Sequence, residues 1–134
     1  HRDWIEKNKN LYDHNGFVVP WTVTTLLEEA GFIDSYRKIY PNPLTHPGFT
    51  YPSDNLAKTP EKITWAPKAD ERDRIDFIFY KGKGLKVKKA VLFGPKESIV
   101  RSQRVEETSK DEFIVPLDVW PTDHKGLLVT FICK

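Results

Sequence analysis

The sequence of 134 residues is poor in the features that would identify several common protein classes. It holds a single cysteine, Cys133, which excludes an internal disulfide framework and a cysteine-rich zinc site, since both need several thiols. No stretch approaches the roughly 18 consecutive apolar residues of a membrane-spanning helix, so no membrane span is expected. Internal repeats and low-complexity tracts are also absent. The cellular compartment is left open by these features.

The charge and composition fit one ordinary folded domain. The net charge is +2, which neither demands nor excludes an anionic partner such as nucleic acid. Hydrophobic residues make up 39% of the chain and aromatic residues 13%, enough for a core and too many for a disordered chain. The first residue is His rather than Met, so we expect the chain to be a piece of a longer protein.

Two helices are predicted in the first third of the chain. The segment PWTVTTLLEEAGF places Val23, Leu26, Leu27 and Ala30 at helical spacing, and Gly31 suits its end. The segment IDSYRKIYP then predicts a shorter helix, which Asp34 or Ser35 would cap and Pro41 would end.

A long loop is predicted between residues 41 and 73, where Pro, Thr, Ser and Asn are frequent and no period is sustained. Phe49, Tyr51 and Trp65 lie in it, so we expect the loop to pack on the domain or to line a site. Tyr51 and Trp65 are candidates for stacking on a substrate, although core packing explains such aromatic residues at least as well.

Strands are predicted in the second half of the chain. RIDFIFY and LKVKKAVLF, separated by KGKG, predict a hairpin of residues 74–80 with residues 85–93. The charged residues 97–112 predict an exposed loop, and FIVPLDVW predicts a short strand interrupted at Pro116. The apolar run GLLVTFI predicts a buried strand. Helices followed by mostly antiparallel strands indicate the α+β class.

Asp76 and His124 form the most informative constellation of residues. A carboxylate inside the apolar segment RIDFIFY needs a partner, and Arg74, two residues earlier, would supply one without any function. The other candidate partner is His124, in the TDH segment before the last strand. An Asp that hydrogen-bonds a His fixes its tautomer, as in hydrolytic sites. Taken alone, the TDH segment is more typical of a simple turn.

RIDFIFYKG followed by WPTDHKGLLVTF resembles the endonuclease/exonuclease/phosphatase superfamily, the DNase I-like metallophosphoesterases. In that family a strand with Arg-x-Asp precedes a Ser-Asp-His loop, and the His opens the last core strand. Here Thr122 stands where Ser is usual and keeps the hydroxyl. GFIDSYRKIYP and PGFTYP resemble the middle of the family domain, and HRDW resembles the residues after its Gly-Asp-x-Asn motif. The resemblance covers nearly the whole chain but only the second half of the family domain.

The resemblance implies a fold and a set of roles. Residues 1–134 would be the C-terminal half of a four-layer α/β sandwich, one mostly antiparallel sheet with helices on one face, and the N-terminal half would be absent. Asp76 would pair with His124, the catalytic imidazole, and Asp123 would help to bind Mg²⁺ or Mn²⁺. The remaining metal ligands of the family lie in its first half, so we expect no tightly bound metal here and an inactive piece.

The expected function is therefore metal-dependent hydrolysis of a phosphate ester or phosphodiester by the full-length protein, with nucleic acid as one possible substrate. Two alternatives stay open. The same scaffold could bind a phosphorylated or sugar ligand without catalysis, or the Asp-His pair could be purely structural. As partners we expect the missing N-terminal half or, in its place, a second copy that associates through the sheet face of residues 126–132.

Overall fold

A computed structural model describes residues 2–133 and shows a small α+β domain, as the order of the predicted elements indicates. The two helices in this part of the chain are α1 (Thr22–Glu29) and α2 (Ser35–Ile39), and a single 3₁₀ turn covers Pro60–Lys62. The strands are β1 (Ile33–Asp34), β2 (Phe79–Tyr80), β3 (Leu85–Phe93), β4 (Glu97–Val100), β5 (Gln103–Glu106), β6 (Phe113–Ile114) and β7 (Gly126–Cys133).

The largest sheet in the described part of the chain has the order β6-β3-β7. β3 pairs in parallel with β6 and antiparallel with β7, in a ladder that runs from Leu85 opposite Cys133 to Phe93 opposite Gly126. Ala90 and Leu92 of β3 are buried against Tyr36 of α2, and this contact is the centre of the hydrophobic core. The helix therefore covers one face of the sheet.

The other face of the sheet is open along β7. Leu127 and Val129 pack against the core, so strand alternation turns Leu128, Thr130 and Ile132 the other way. Leu128 is 47% exposed and Ile132 is 45% exposed. The predicted strand GLLVTFI is thus confirmed as a strand, but in this chain it is not buried on both faces.

The predicted hairpin of residues 74–80 with residues 85–93 is wrong. Only Phe79 and Tyr80 form a strand, and they pair with β1, whereas β3 pairs with β6 and β7. Part of the segment before β2 is held by a side chain and not by strand pairing. Thr50 Oγ1 accepts hydrogen bonds from the backbone N–H groups of Ile75 and Asp76. The alternating pattern indicated extended backbone but carried no information about the partner.

The predicted exposed loop over residues 97–112 is also wrong. β4 and β5 form a hairpin there, and Arg101 and Ser102 turn the chain with φ values of 49° and 60°. Ser98 and Ile99 are fully buried, although they are successive residues. Adjacent buried residues in a charged stretch break the alternation by which strands are recognised, so the pattern concealed this hairpin.

The helix predictions are confirmed, with one difference in burial. Asp34 caps α2, because its carboxylate accepts hydrogen bonds from the backbone N–H groups of Tyr36 and Arg37. In α1 the apolar residues Val23 and Leu26 are 72% and 59% exposed, and Thr24 is buried instead. In the described part of the chain, neither helix has the length and apolar character needed to cross a bilayer.

Candidate active site at the Asp76–His124 pair

Asp76 and His124 are in direct contact. The Nδ1 atom of His124 lies 2.8 Å from Oδ2 of Asp76, and both side chains are a little over one-third exposed. The contact predicted from the sequence is therefore confirmed. The expected placement on adjacent strands is wrong, since Asp76 lies in the extended segment before β2 and His124 in the loop before β7.

Thr50 joins the two segments that carry the pair. Its hydroxyl oxygen accepts hydrogen bonds from the N–H groups of Ile75 at 3.0 Å and Asp76 at 3.1 Å. Its carbonyl oxygen accepts from the N–H group of Lys125 at 2.7 Å. One residue of the long loop thus fixes the backbone beside both members of the pair.

The backbone around His124 is held from several sides. The N–H group of His124 donates to Thr122 Oγ1 at 3.3 Å, and its carbonyl oxygen accepts from Trp120 Nε1 at 2.7 Å. The carbonyl oxygen of Asp123 accepts from the N–H group of Ser53 at 2.7 Å. The hydroxyl of Thr122 therefore has a local structural role, because it accepts a hydrogen bond from the backbone of His124.

The contact with Asp76 favours one tautomer of His124. Because an ionised carboxylate only accepts hydrogen bonds, the contact favours the ring form with its proton on Nδ1, which in the neutral imidazole leaves the lone pair on Nε2. Within residues 2–133, the protein supplies no hydrogen-bond partner to Nε2. The partly exposed imidazole can accept or donate a proton at this atom.

Arg74, the alternative partner of Asp76, is bonded elsewhere. Its guanidinium is buried and donates to Asp3 Oδ2 at 2.7 Å and to Asp34 Oδ2 at 2.6 Å. Arg37 also contacts Asp3, through both of its carboxylate oxygens. Arg74 therefore belongs to a buried ionic network below the site, and the simple Arg74–Asp76 explanation is wrong.

Tyr51 lies against the imidazole. Its ring centroid is 5.1 Å from that of His124, and the side chain is only 6% exposed. The phenol donates to Glu71 Oε1 at 3.3 Å, and burial together with this carboxylate raises the pKa of Tyr51. The hydroxyl therefore stays protonated at neutral pH and can keep donating. Its predicted role as a substrate contact stays a prediction.

Trp65 is presented to solvent on a fixed backbone. Its side chain is 88% exposed, while its N–H group donates to Glu71 Oε1 at 2.8 Å. The next N–H group, that of Ala66, donates to Glu71 Oε2 at 2.9 Å. A substrate contact by Trp65 stays a prediction. Glu71 was not predicted from the sequence, because it lies within the charged run ADERDR, where its neighbours are charged as well.

Lys125, immediately after His124, is a second residue that the sequence analysis missed. Its side chain is buried, and Nζ donates to the carbonyl oxygen of Glu97 at 3.0 Å and to Ser98 Oγ at 2.7 Å. Burial lowers the pKa of Lys125 to about 8. The side chain ties the loop that carries His124 to β4.

Among residues 2–133, Asp123 has no cluster of further ligands around it. Its Oδ1 atom accepts a hydrogen bond from Thr122 Oγ1 at 3.2 Å. Across residues 2–133, no three His, Cys, Asp or Glu side chains lie close enough together to hold a metal ion. Mg²⁺ requires near-octahedral oxygen ligation. Whether a metal binds here is untested by this arrangement, and the role of Asp123 as one ligand stays a prediction.

The chain is similar in sequence to a protein of a nematode worm. A curated protein of Caenorhabditis elegans, the uncharacterized protein F14F9.5, is 35% identical to this chain over 131 residues. The match covers 98% of this chain, and the chain spans 37% of the length of that relative. No family model matches the chain, and no solved structure matches it.

Proposed function

We propose that the full-length protein hydrolyses a phosphate ester or phosphodiester, with His124 as its catalytic imidazole and Asp76 as the residue that orients it. The observation that carries this proposal is the 2.8 Å contact between His124 Nδ1 and Asp76 Oδ2, made at the protein surface with Nε2 unoccupied by protein groups among residues 2–133. A DNase I-like architecture is part of the proposal. It is supported by a mainly antiparallel sheet that is covered on one face and open along β7 on the other.

The chain's own residues suit one step of such a reaction. A water oxygen would bond to phosphorus as the bond from phosphorus to the ester oxygen breaks, and the leaving oxygen would take a proton from solvent, which releases an alcohol and a phosphate or phosphate monoester. Asp76 holds the proton on Nδ1 and stabilises positive charge on the ring. Nε2 would then take the proton of the attacking water or, once protonated, donate a hydrogen bond to a phosphoryl oxygen. Both roles require the same orientation of the ring.

Mg²⁺ or Mn²⁺ is the metal that we propose for the full-length protein, and it would neutralise charge on the phosphate. Because the described residues lack a ligand cluster, Asp123 would share the ion with residues outside this chain. None of the steps assigned to His124 and Asp76 depends on where that ion sits.

The test uses the full-length protein with Mg²⁺ and a panel of substrates: a nitrophenyl phosphodiester, single- and double-stranded DNA, RNA, an inositol polyphosphate and sphingomyelin. We expect turnover of at least one substrate, and a loss of about a thousandfold or more in kcat on His124→Ala. Asp76→Asn keeps the shape of the side chain but replaces one of its two acceptor oxygens with an NH2 group. We expect this variant to lose about a hundredfold or more in kcat.

His46→Ala is the matched control, because His46 stacks on Tyr40 at 4.3 Å and does not contact the pair. Its turnover should stay within about twofold of the wild type. If His124→Ala retains most of the wild-type turnover, His124 is not catalytic.

A binding module is the second candidate, and the exposed Trp65 on its fixed backbone favours it. Such a module would bind a phosphorylated or sugar ligand through the indole and leave it intact. The same panel separates the two candidates. Tight binding without turnover by the wild type, abolished by Trp65→Ala and unaffected by His124→Ala, would support the module and contradict the hydrolase.

A further inference from the structure

Glu71 has an unusual set of partners for a carboxylate. Its Oε1 atom accepts hydrogen bonds from the hydroxyl of Tyr51 and the N–H group of Trp65, and Oε2 accepts from the N–H group of Ala66. Within residues 2–133 it forms no ion pair, although Arg72 is its neighbour in sequence. Arg72 pairs instead with Asp70 and Glu107. Hydrogen bonds to an ionised acceptor are roughly twice as strong as neutral ones, so this carboxylate is suited to fixing geometry.

The three bonds of Glu71 connect two features of the candidate site. One bond ends on Tyr51, whose ring lies 5.1 Å from the ring of His124. The other two fix the turn at residues 65 and 66, from which the indole of Trp65 projects into solvent. Without the bond to Tyr51, the rings of Tyr51 and His124 would be less firmly held. Without the bonds to residues 65 and 66, the indole of Trp65 would be less firmly held. A loosely held catalytic group loses much of its effect.

We propose that Glu71 is a positioning residue, which orients the imidazole of His124 through Tyr51 and fixes the turn that presents Trp65. This inference rests on the proposed function for its effect on turnover, but the orientation itself is independent of any reaction. Within residues 2–133, Glu71 forms no hydrogen bond to His124 or Asp76. It acts through the phenol on one side and through two backbone N–H groups on the other.

The proposal predicts a separation of kinetic effects. Tyr51→Phe keeps the aromatic ring and removes the hydroxyl, with its hydrogen bonds to Glu71 Oε1 and to the carbonyl oxygen of Ile63, so we expect kcat to fall about three- to tenfold with little change in KM. Trp65→Ala should raise KM and leave kcat nearly unchanged. Glu71→Ala removes both supports and should do both, lowering kcat and raising KM. Glu61→Ala is the matched control, since Glu61 is an exposed acid of the same loop and should change neither constant.

A double-mutant cycle tests whether Glu71 acts through Tyr51. In the Tyr51→Phe background, Glu71→Ala should lower kcat by less than about twofold more, since the bond between the two residues is already absent. Independent effects on kcat that multiply would overturn the proposal. So would an unchanged kcat in Glu71→Ala, which is the result expected if Glu71 only stabilises the loop.

A second readout requires no substrate. With ¹³C- and ¹⁵N-labelled histidine, the ring signals of His124 should shift and broaden in Glu71→Ala and in Tyr51→Phe at one fixed pH, while those of His46 stay constant. Ring signals of His124 that match the wild type in both variants would overturn the inference even if the protein hydrolyses phosphate esters. Perturbed signals in a protein without turnover would support the positioning role and contradict the proposed function.

Discussion

Lys125 is a buried cation whose two direct hydrogen-bond acceptors, the carbonyl oxygen of Glu97 and Ser98 Oγ, are both uncharged. Burial lowers the pKa of Lys125 from 10.5 to about 8 in the folded chain, whereas the unfolded chain keeps the ordinary value. Between these two pH values the unfolded state binds more protons than the folded state. The free energy of unfolding therefore gains a contribution from Lys125 as the pH rises from about 8 to about 10.5.

The predicted gain is about 3 kcal/mol across this pH range, and it is absent below pH 8, where Lys125 is protonated in both states. Urea unfolding at several pH values, for the wild type and Lys125→Met, measures it as the difference between the two curves. Other groups titrate in both proteins and cancel in that difference. Parallel curves from pH 7 to pH 10 would show that Lys125 titrates normally.

The residue-scale predictions from sequence succeeded where chemistry limited the choice. A carboxylate in an apolar segment and a His before a core strand each needed a partner, and the two are bonded to each other. Glu71 and Lys125 could not be found in that way. Their partners are largely backbone atoms and hydroxyl groups, which every sequence offers in abundance, so the type of residue does not indicate the contact.

At the scale of elements, the loop from residue 41 to residue 73 is held in place by a close approach at Gly48. Its φ is +70°, and a Cβ atom there would lie 2.5 Å from Cε1 of Tyr36 and 3.0 Å from Cδ of Arg74. Both neighbours are fully buried and cannot move aside freely. The glycine thus lets the loop that carries Thr50 and Tyr51 lie directly on α2.

We predict that Gly48→Ala lowers the free energy of unfolding by about 3 kcal/mol, from backbone strain together with overpacking. Gly82→Ala is the control, because Gly82 also has a positive φ, +115°, but a Cβ atom there meets nothing within 4 Å. It should cost roughly 1–2 kcal/mol from strain alone. Thermal and urea unfolding compare the two variants, and equal losses would contradict the close-packing argument.

Some elements were predicted correctly and others were not, and the difference depends on whether an element has a local signal in the sequence. Helices α1 and α2 and strand β7 have local signals, namely a period, a cap or a continuous apolar run. The pairing of β3 with β6 and β7 has none, since it depends on segments more than 20 residues away. The β4–β5 hairpin buries Ser98 and Ile99 together, and its surrounding charges indicated solvent.

At the scale of the whole molecule, the open face of β7 is the feature that most affects behaviour in solution. Leu128 and Ile132 are nearly half-exposed there, with Thr130 between them, and in the described sheet β7 has a neighbour on one side only. An apolar face beside an unpaired strand edge favours association with another chain. We therefore predict that this chain alone self-associates through β7.

Sedimentation velocity over a range of protein concentrations tests this prediction. The wild type should show species larger than a monomer, and the double variant Leu128→Lys with Ile132→Lys should sediment as a monomer. Leu26→Lys is the control, since Leu26 is 59% exposed on α1, outside the sheet, and its variant should associate like the wild type. A wild type that stays monomeric at high micromolar concentration would contradict the prediction.

The sequence separation of 48 between Asp76 and His124 also has a consequence for the order of folding. Closing a loop over such a separation costs conformational entropy, and this cost is offset only after many contacts have formed. Contacts between residues far apart in sequence therefore form slowly. β3 and β6 can meet, and the β4–β5 hairpin between them can close, before β7 adds to the sheet. Adding β7 brings the imidazole to its carboxylate. We therefore expect the nascent domain to form most of its secondary structure before Asp76 and His124 meet, so a chain arrested before β7 is added would lack that contact.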